Sequence, residues 1–381
     1  MTGVHVIGTG MPAFRRSNDA ALADLAQEAA YLALRDAEIS ATRVGVGFFA
    51  NVLGPRLTNE FTAGQHVMAS VGVRRVPVVN VENACTSGST ALWLAVNAIR
   101  AGQADVALVV GAEKMSVPDL GLLSSGSEEL ETQLGLVAPA SFALRARRHM
   151  HEFGTTLQQL AMVSVKNRRH AVNNPHAQYR EPVTLEEVLA SPMIADPITR
   201  LQCCPVADGA AAVVLAGAEV ARGRRRAVRI DAAVLCSGNY ENPVDLARWE
   251  TDFRGSRLAY QEAGIGPPDL DVIECHDAFS IAEIMHCEAL GLCEPGEGGP
   301  LVESGATALG GSIPVNVSGG LLSRGHPIAA TGCAQVIELV QQLRGEAVGR
   351  QVEGARTGLA HCMGGDQAGD AKSCTVIIVS T

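Results

Sequence analysis

The sequence predicts a duplicated α/β fold in which two successive halves repeat one order of strands and helices. Residues 76–116 form the clearest unit, because they read as a strand, a tight turn, a helix and a second strand. Each half also contains a Val-Asn-Val run before a turn and a helix, at residues 79–81 and 315–317. A glycine follows each of these helices, at Gly102 and Gly345, as is typical of helix ends.

This repeat predicts how the chain divides. We predict an N-terminal half at residues 1–222 and a C-terminal half at residues 223–381. Residues 117–207 have no counterpart in the second half, so they are predicted to form an insertion in the first.

The first half is predicted from apolar residues at strand and helix spacing. A valine-rich run at residues 76–81 predicts a short buried strand. Leu92, Ala95 and Ile99 lie on one face of the helix that follows it. The predicted strands are residues 4–8, 44–53, 76–81, 104–112 and 208–216, and the predicted helices are residues 19–37, 59–71 and 86–101.

The second half repeats this order after a basic connector at residues 222–226. Short apolar runs alternate with longer segments of helical period, and glycines follow several of those segments. The predicted strands are residues 228–236, 272–276, 314–317, 357–361 and 374–380, and the predicted helices are residues 245–263, 280–290 and 329–343.

Composition and charge exclude several classes of protein. A hydrophobic content of 47% with 18% charged residues is typical of a well-buried globular chain. The net charge of −10 argues against a nucleic-acid partner. No apolar run is long enough to span a membrane, and the first residues lack the basic start of a signal peptide. The ten cysteines are scattered, which predicts reduced thiols and a cytoplasmic location.

Cys85 is the first candidate catalytic residue. It lies in the turn between the strand at residues 76–81 and the next helix. The unpaired N–H groups of a helix N-terminus favour a thiolate, which is the nucleophilic form of cysteine. A buried, inert cysteine is the alternative, and the position alone does not decide between them.

Three further candidates lie where predicted strands end. His276, His326 and Cys362 are in the second half, in segments ECHDAF, SRGHP and HCMGG. Ligand sites of α/β sheets form at the carboxyl ends of strands, so these side chains are predicted to converge on Cys85. Histidine is the usual base for a cysteine nucleophile, and a second cysteine suits proton transfer at carbon. The alternatives are a turn at His326, core packing of Cys362 and a buried His276–Asp277 pair. No metal site is predicted, because no local zinc spacing occurs.

The insertion carries a basic group in a net-acidic chain. Such a cluster suits a phosphate-bearing ligand, although charge alone favours a solvated helix face. Its members are Arg145, Arg147, Arg148, Lys166, Arg168 and Arg169.

Taken together, the motifs resemble the thiolase family over essentially the whole chain. The resemblance is strongest to the branch of sterol-carrier-protein thiolases and thiolase-like lipid-transfer proteins. It rests on ENACTSGSTAL around Cys85, GAEKMS, DGAAAVVL, ECHDAF, VNVSGGLLSRGHPIAATG and AHCMGG, in this order. Two positions depart from that branch, which usually has cysteine at Ala278 and often has asparagine at Cys362.

The resemblance implies a five-layered αβαβα fold with the insertion at residues 117–207 as a lid over coenzyme A. It implies that Cys85 accepts the acyl group, that His326 activates Cys85, and that Cys362 moves the α-proton. It also implies that His276 holds a water or the enolate oxygen. The backbone N–H groups of Cys85 and Gly364 are implied as a second oxyanion site.

The implied activity is that of a CoA-dependent acyltransferase that cleaves or forms 3-ketoacyl-CoA through an acyl-cysteine. No permanently bound cofactor is expected, and coenzyme A is the implied substrate. The basic residues of the insertion become candidates for its phosphates. The resemblance also implies a homodimer or homotetramer. Two alternatives remain: a retro-aldolase that works with a small OB-fold or zinc-ribbon partner protein, and a non-catalytic lipid- or CoA-binding protein.

Overall fold

The computed structural model describes residues 3–16, 19–117, 120–121, 126, 128–240, 245–367 and 369–381. Its strands in chain order are β1 (Val4–Gly10), β2 (Val46–Ala50), β3 (Val78–Val81), β4 (Val106–Glu113), β5 (Met193–Ala195), β6 (Ile198–Thr199), β7 (Gly209–Gly217), β8 (Val228–Ser237), β9 (Val272–Glu274), β10 (Thr357–Gln367) and β11 (Asp370–Ser380). Within these residues, nine strands form one sheet in the order β3-β2-β4-β7-β1-β8-β11-β10-β9.

The α-helices flank and separate the two halves of this sheet. They are α1 (Leu22–Asp36), α2 (Gly54–Leu57), α3 (Ala63–Ser70), α4 (Ser87–Arg100), α5 (Leu130–Gln133), α6 (Ala138–Phe153), α7 (Leu157–Ala171), α8 (Leu185–Ala190), α9 (Ala218–Ala221), α10 (Glu250–Ala263), α11 (Ser280–Ala289), α12 (Gly298–Glu303), α13 (Gly320–Arg324) and α14 (Thr331–Leu343). None of the helices in the described ranges is both long and apolar enough to cross a membrane.

The sheet contains the predicted duplication. The order β3-β2-β4-β7-β1 in the first half matches the order of the second half, read from the outside inward, when the segment of Val315 is placed outside β9-β10-β11-β8 as the counterpart of β3. The two halves meet where β1 and β8 pair antiparallel, with Val4 opposite Ile230. Val315 forms a parallel bridge with Ile273 of β9, as β3 pairs with β2 in the first half. The predicted duplicated α/β fold is therefore confirmed.

Neighbouring residues of a strand face opposite sides of the sheet, and their packing partners reveal five layers. In β4, Leu108 packs in a cluster with α1 and α3, whereas Val109 packs in a different cluster with α4 and α14. In β11, Ile377 faces α4 and α14, whereas Ile378 packs in a cluster with α10 and α11. Helices α4 and α14 thus lie between the two sheet halves. Helices α1, α3, α10 and α11 cover the outer faces of those halves. This is the αβαβα order that the resemblance implies.

The insertion packs against the second half of the chain. Phe142 of α6 and Leu160 of α7 share an apolar cluster with Phe279, Leu322 and Met363. These last three residues lie next to the segments that carry His276, His326 and Cys362. The insertion therefore forms a wall beside the residues predicted to react.

Several local predictions are wrong. The strand at residues 76–81 is not buried, because β3 lies at the sheet edge and Val79 is 41% exposed. Residues 314–317 form only the single bridge at Val315. Cys362 does not end its strand, because β10 continues into a hairpin with β11. Helix α6 did not stand out in the sequence, since its exposed face carries arginines.

Candidate active site

Four separate segments bring the predicted reactive residues together. A ligand atom of Cys85, one of His276 and one of His326 all lie within 4.8 Å of one another. The Cys362 thiol donates a hydrogen bond of 3.1 Å to the backbone oxygen of Cys85. These residues follow β3, β9 and α13 or lie within β10, so the sheet and its helices fix their relative positions.

The turn that carries Cys85 is held in an uncommon conformation. Ala84, just before the cysteine, has a φ of +46°, which is costly for a residue with a side chain. The Ser87 hydroxyl accepts a hydrogen bond from the Asn83 N–H at 2.7 Å, and the Thr86 hydroxyl donates to the Asn83 oxygen at 2.6 Å. These bonds hold Cys85 directly before Thr86, the N-cap residue of α4.

Cys85 is a neutral thiol in the resting protein. Burial raises the pKa of its thiol to about 12, although a backbone N–H from Gly365 faces the sulfur and opposes the rise. The carboxylate of Glu113 adds to the increase. Desolvation therefore outweighs the helix N-terminus, and the thiolate that the sequence position favours is not the resting form. A base must remove the proton as the sulfur attacks.

His326 has the protonation state of such a base. Its Nδ1 lies 2.7 Å from the Thr331 hydroxyl, whose own hydrogen is donated to the backbone oxygen of Pro327. Nδ1 is therefore the protonated nitrogen, and Nε2 is left with a lone pair. Burial and the nearby Arg324 lower the pKa of His326 to about 3, so the ring is neutral at neutral pH. A neutral imidazole beside a neutral thiol can accept its proton during attack.

Two buried carboxylates position the segment that carries His326. Asp277 accepts hydrogen bonds from the N–H groups of Leu321 and Leu322, at the start of α13. Glu274 pairs with Arg324 at 3.2 Å, and both side chains are fully buried. Acidic residues at the end of β9 and just after it therefore fix the glycine-rich loop, which joins the ECHDAF and SRGHP segments.

His276 presents an unpaired ring to the site. It is 2% exposed, and within the described part of the chain neither of its ring nitrogens has a hydrogen-bond partner. Its ring meets that of His326 edge to face, with centroids 5.1 Å apart. Burial, helped by the neighbouring His326, lowers its pKa well below the ordinary value. The neutral ring keeps one N–H for an oxygen atom in the site.

Cys362 is also a neutral thiol. Burial, reinforced by the nearby Cys85, raises its pKa well above the ordinary value for cysteine. The Ser89 hydroxyl hydrogen-bonds its sulfur and partly opposes this rise. A thiol that keeps its proton at neutral pH is suited to donate it to a carbanion.

The glycines after Cys362 let β10 approach the turn of Cys85. A Cβ atom at Gly364 would lie 3.0 Å from both the Asn83 oxygen and the Thr86 nitrogen. A side chain there would force the strand away from the turn. The oxyanion role of the Cys85 and Gly364 N–H groups stays a prediction. The N–H groups of Gly365 and of Cys85 itself face the sulfur.

Comparisons with known proteins identify the family. The model of the thiolase N-terminal domain matches residues 4–219, and the thiolase C-terminal domain-like model matches residues 242–379. The chain belongs to the thiolase family. The resemblance in the sequence is thereby confirmed.

Similar proteins and a similar solved structure support the same family assignment. The acetyl-CoA acetyltransferase of Methanothermobacter thermautotrophicus is 40% identical over 96% of this chain and 97% of its own. Sterol carrier protein 2 of Bos taurus is 38% identical over 95% of this chain and 70% of its own. The solved structure of an Ltp2-ChsH2(DUF35) aldolase is 25% identical, with a TM-score of 0.84, and covers 98% of this chain and 97% of its own. The chain is an acyltransferase of the thiolase family.

Within this thiolase fold, two basic residues of the insertion are committed to internal contacts. Arg145 is fully buried, pairs with Asp366 at 3.0 Å and lies 4.4 Å over the Trp249 ring. Lys166 pairs with Glu283 at 2.7 Å. These two are therefore removed from the group that can contact a phosphate.

The other basic residues lie nearer the surface. Arg147 and Arg148 are half exposed and pair with Asp196 and Glu152, respectively. Arg168 stacks 4.4 Å over the ring of Tyr179. Arg169 is exposed. Local ion pairs of this exposure are weak and can be exchanged for a ligand phosphate.

Sequence reasoning missed residues that shape the site indirectly. Thr331 fixes the His326 tautomer, and it lies within the motif that contains the histidine, five positions later. Cys204 lies near enough to Cys85 that a negative charge on Cys85 raises the pKa of the Cys204 thiol. The Thr331 role was recoverable from its place at the start of α14, whereas nothing local marks Cys204.

We expect alkylation of Cys85 by iodoacetamide to be slow at neutral pH and to accelerate steadily in alkali. Because the thiol pKa is about 12, its thiolate fraction rises about tenfold per pH unit between about pH 7 and about pH 10. Peptide mapping of the labelled protein gives the rate at this one cysteine, and Cys85→Ala identifies its peptide. A rate that reaches a plateau near neutral pH would show a preformed thiolate and contradict this prediction.

Proposed function

We propose that this acyltransferase cleaves or forms 3-ketoacyl-CoA by Claisen chemistry through an acyl-cysteine at Cys85. The observation that carries the proposal is the meeting of Cys85, His276, His326 and Cys362 around one point, with the protonation states that each role needs. The relative named acetyl-CoA acetyltransferase, which matches nearly the whole chain, supports the same chemistry.

In the cleavage direction, the Cys85 sulfur attacks the 3-keto carbon while Nε2 of His326 takes the thiol proton. The keto oxygen becomes an oxyanion, which the backbone N–H groups of Cys85 and Gly364 stabilise in this proposal. When the oxyanion collapses, the carbon–carbon bond breaks, and the acyl group stays on Cys85. The bonding electrons pass to acetyl-CoA as an enolate.

Two residues handle that enolate. The Cys362 thiol gives its proton to the α-carbon, and the N–H of His276 holds the enolate oxygen, as its unpaired, neutral ring permits. A second coenzyme A then gives its thiol proton to the Cys362 thiolate and attacks the acyl-cysteine. The departing Cys85 sulfur takes back the proton held by His326, which releases a shortened acyl-CoA and regenerates both cysteines. In reverse, Cys362 removes the α-proton of acetyl-CoA, and the carbanion attacks the acyl-cysteine.

Coenzyme A is the proposed carrier of both substrates. Its phosphates would meet the basic residues of the insertion that lie nearer the surface: Arg147, Arg148, Arg168 and Arg169. The supporting observation is that α6 and α7 form the wall beside Phe279, Leu322 and Met363. The insertion at residues 117–207 would then act as the lid that the resemblance implies.

We further propose that the chain forms a homodimer or homotetramer. Within the described residues, strand β3 is the last strand of the sheet, and its Val79 side chain is exposed. An edge strand presents backbone N–H and C=O groups that are suited to pairing with a second copy. A small OB-fold or zinc-ribbon partner is a separate proposal, which gains support from the similar Ltp2-ChsH2(DUF35) structure.

That same similarity favours a second candidate activity, retro-aldol cleavage, in which no acyl-cysteine forms. Cys85 beside a neutral His326 argues for the thiolase reaction instead. The two activities are distinguished by their need for coenzyme A. An aldolase releases a carbonyl product without it, whereas thiolytic cleavage stops when coenzyme A is omitted.

We expect ping-pong kinetics for the thiolytic reaction. Acyl transfer to Cys85 is complete before coenzyme A reacts, so double-reciprocal plots against 3-ketoacyl-CoA at several coenzyme A concentrations should be parallel. The measurement is the initial rate of 3-ketoacyl-CoA loss. Intersecting lines, or cleavage that continues without coenzyme A, would overturn the proposed function.

A further inference from the structure

A second cluster of metal-ligand residue types lies behind the active site. Asp252 of α10, His286 of α11 and His361 of β10 each place a ligand atom within 4.8 Å of the other two. All three side chains have an exposure of 0%. The proposed acyl transfer uses none of them, so their proximity needs its own explanation.

Hydrogen bonding fixes the tautomer of His286. Its Nε2 lies 3.1 Å from the backbone oxygen of His276, which can only accept, so Nε2 carries the proton. In the neutral ring, Nδ1 therefore has a lone pair. Yet Nδ1 lies 2.8 Å from Oδ2 of Asp252. Two acceptors this close repel each other unless a positive charge lies between them.

An extra proton on Nδ1 of His286 explains its contact with Asp252 poorly. A ring N–H points in a fixed direction in the ring plane. Among the described residues, neither oxygen of Asp252, nor Nδ1 of His286, nor Nε2 of His361 has a hydrogen-bond partner of normal geometry. Nε2 of His361 nonetheless lies 3.3 Å from Oδ1 of Asp252.

We propose that Asp252, His286 and His361 bind one divalent metal ion of the zinc class. Two imidazole nitrogens and one carboxylate oxygen are a donor set that suits zinc. Separations of 2.8 and 3.3 Å are those of neighbouring ligands that each lie about 2 Å from a shared ion. Metal-bound histidines commonly donate their other ring N–H to a carbonyl oxygen, and His286 does so to His276.

The bound ion joins three elements that support the active site. It ties α10 and α11 to β10, where His361 immediately precedes Cys362. Through the His286 hydrogen bond, it also steadies the backbone of His276. Because its ligands are inaccessible to solvent, the ion acts as a structural clamp and not as a Lewis acid for substrate. Local spacing in the sequence gives no sign of it, since each ligand comes from a different element.

The test measures metal directly. Full-length protein is purified with zinc sulfate, passed through gel filtration and analysed for zinc by mass spectrometry. We expect about one zinc ion per wild-type chain, and less than about a tenth of that in Asp252→Asn and His361→Gln. Cys85→Ala is the matched control, because Cys85, His276 and His326 form the other group with suitable ligands. It should keep the full zinc content.

If a variant fails to fold, crystals of the wild-type protein still test the proposal. Anomalous diffraction at the zinc edge should give a peak between Asp252, His286 and His361. Wild-type protein that holds no zinc after incubation with excess zinc would overturn the proposal. So would a peak at Cys85, or zinc that is lost in Cys85→Ala and kept in His361→Gln.

Discussion

Replacement of Cys85 by alanine is expected to lower kcat/KM for thiolysis by about four orders of magnitude or more, because no other group takes the acyl chain. Only the residual effects of binding and the oxyanion site would remain. The measurement is the steady-state rate of 3-ketoacyl-CoA cleavage, with the melting temperature as a check on folding. Since Cys85 is only partly buried, the variant should melt close to the wild-type protein.

Cys293→Ala is the matched control for this variant. Cys293 is also partly buried, and it lies after α11, away from the reactive cluster. Its replacement should leave kcat/KM within about a factor of two. If Cys85→Ala kept more than about a tenth of wild-type activity, an acyl-cysteine at this position could not be on the main pathway.

The Cys362→Ala variant is expected to separate the two halves of the reaction. It should still accept an acetyl group from acetyl-CoA at Cys85, because His326 and the turn of Cys85 are unchanged. It should lose about two to four orders of magnitude in condensation and thiolysis, since the α-proton has no acid or base. Acylation is followed by mass spectrometry, and condensation by the appearance of 3-ketoacyl-CoA.

Cys333→Ala controls for the loss of a buried thiol. Cys333 is fully buried on α14, so its replacement makes a similar cavity without removing a reacting group. Both variants should lose similar stability, and only Cys362→Ala should lose condensation. Full condensation activity in Cys362→Ala would show that another group moves the α-proton.

The sequence was most informative where chemistry and local structure coincide. Cys85 lies between a strand and a helix, and that order is visible as a valine run, a turn and a helical period. His326 lies in a glycine-rich loop before α14, which also has a clear local pattern. Patterns of this kind depend on near neighbours in the chain, so they can be recognised in a single sequence.

Features that depend on distant residues were not predictable. Charge alone placed Arg145 among ligand-binding candidates, but Asp366 and Trp249 hold it in the interior. The helix N-terminus suggested a thiolate at Cys85, but desolvation by the assembled site outweighs it. The prediction that β3 is buried was wrong, because a strand's place in the sheet order is set by its partners and not by its own residues.

The measurement that tests the central claim most directly is the mass of the protein after brief reaction with acetyl-CoA and an acid quench. We expect the intact mass to rise by one acetyl group, the modified peptide to contain Cys85, and the added mass to disappear when coenzyme A is supplied before the quench. A protein that stays unmodified under turnover conditions, or that carries the acetyl group on another residue, would contradict the account.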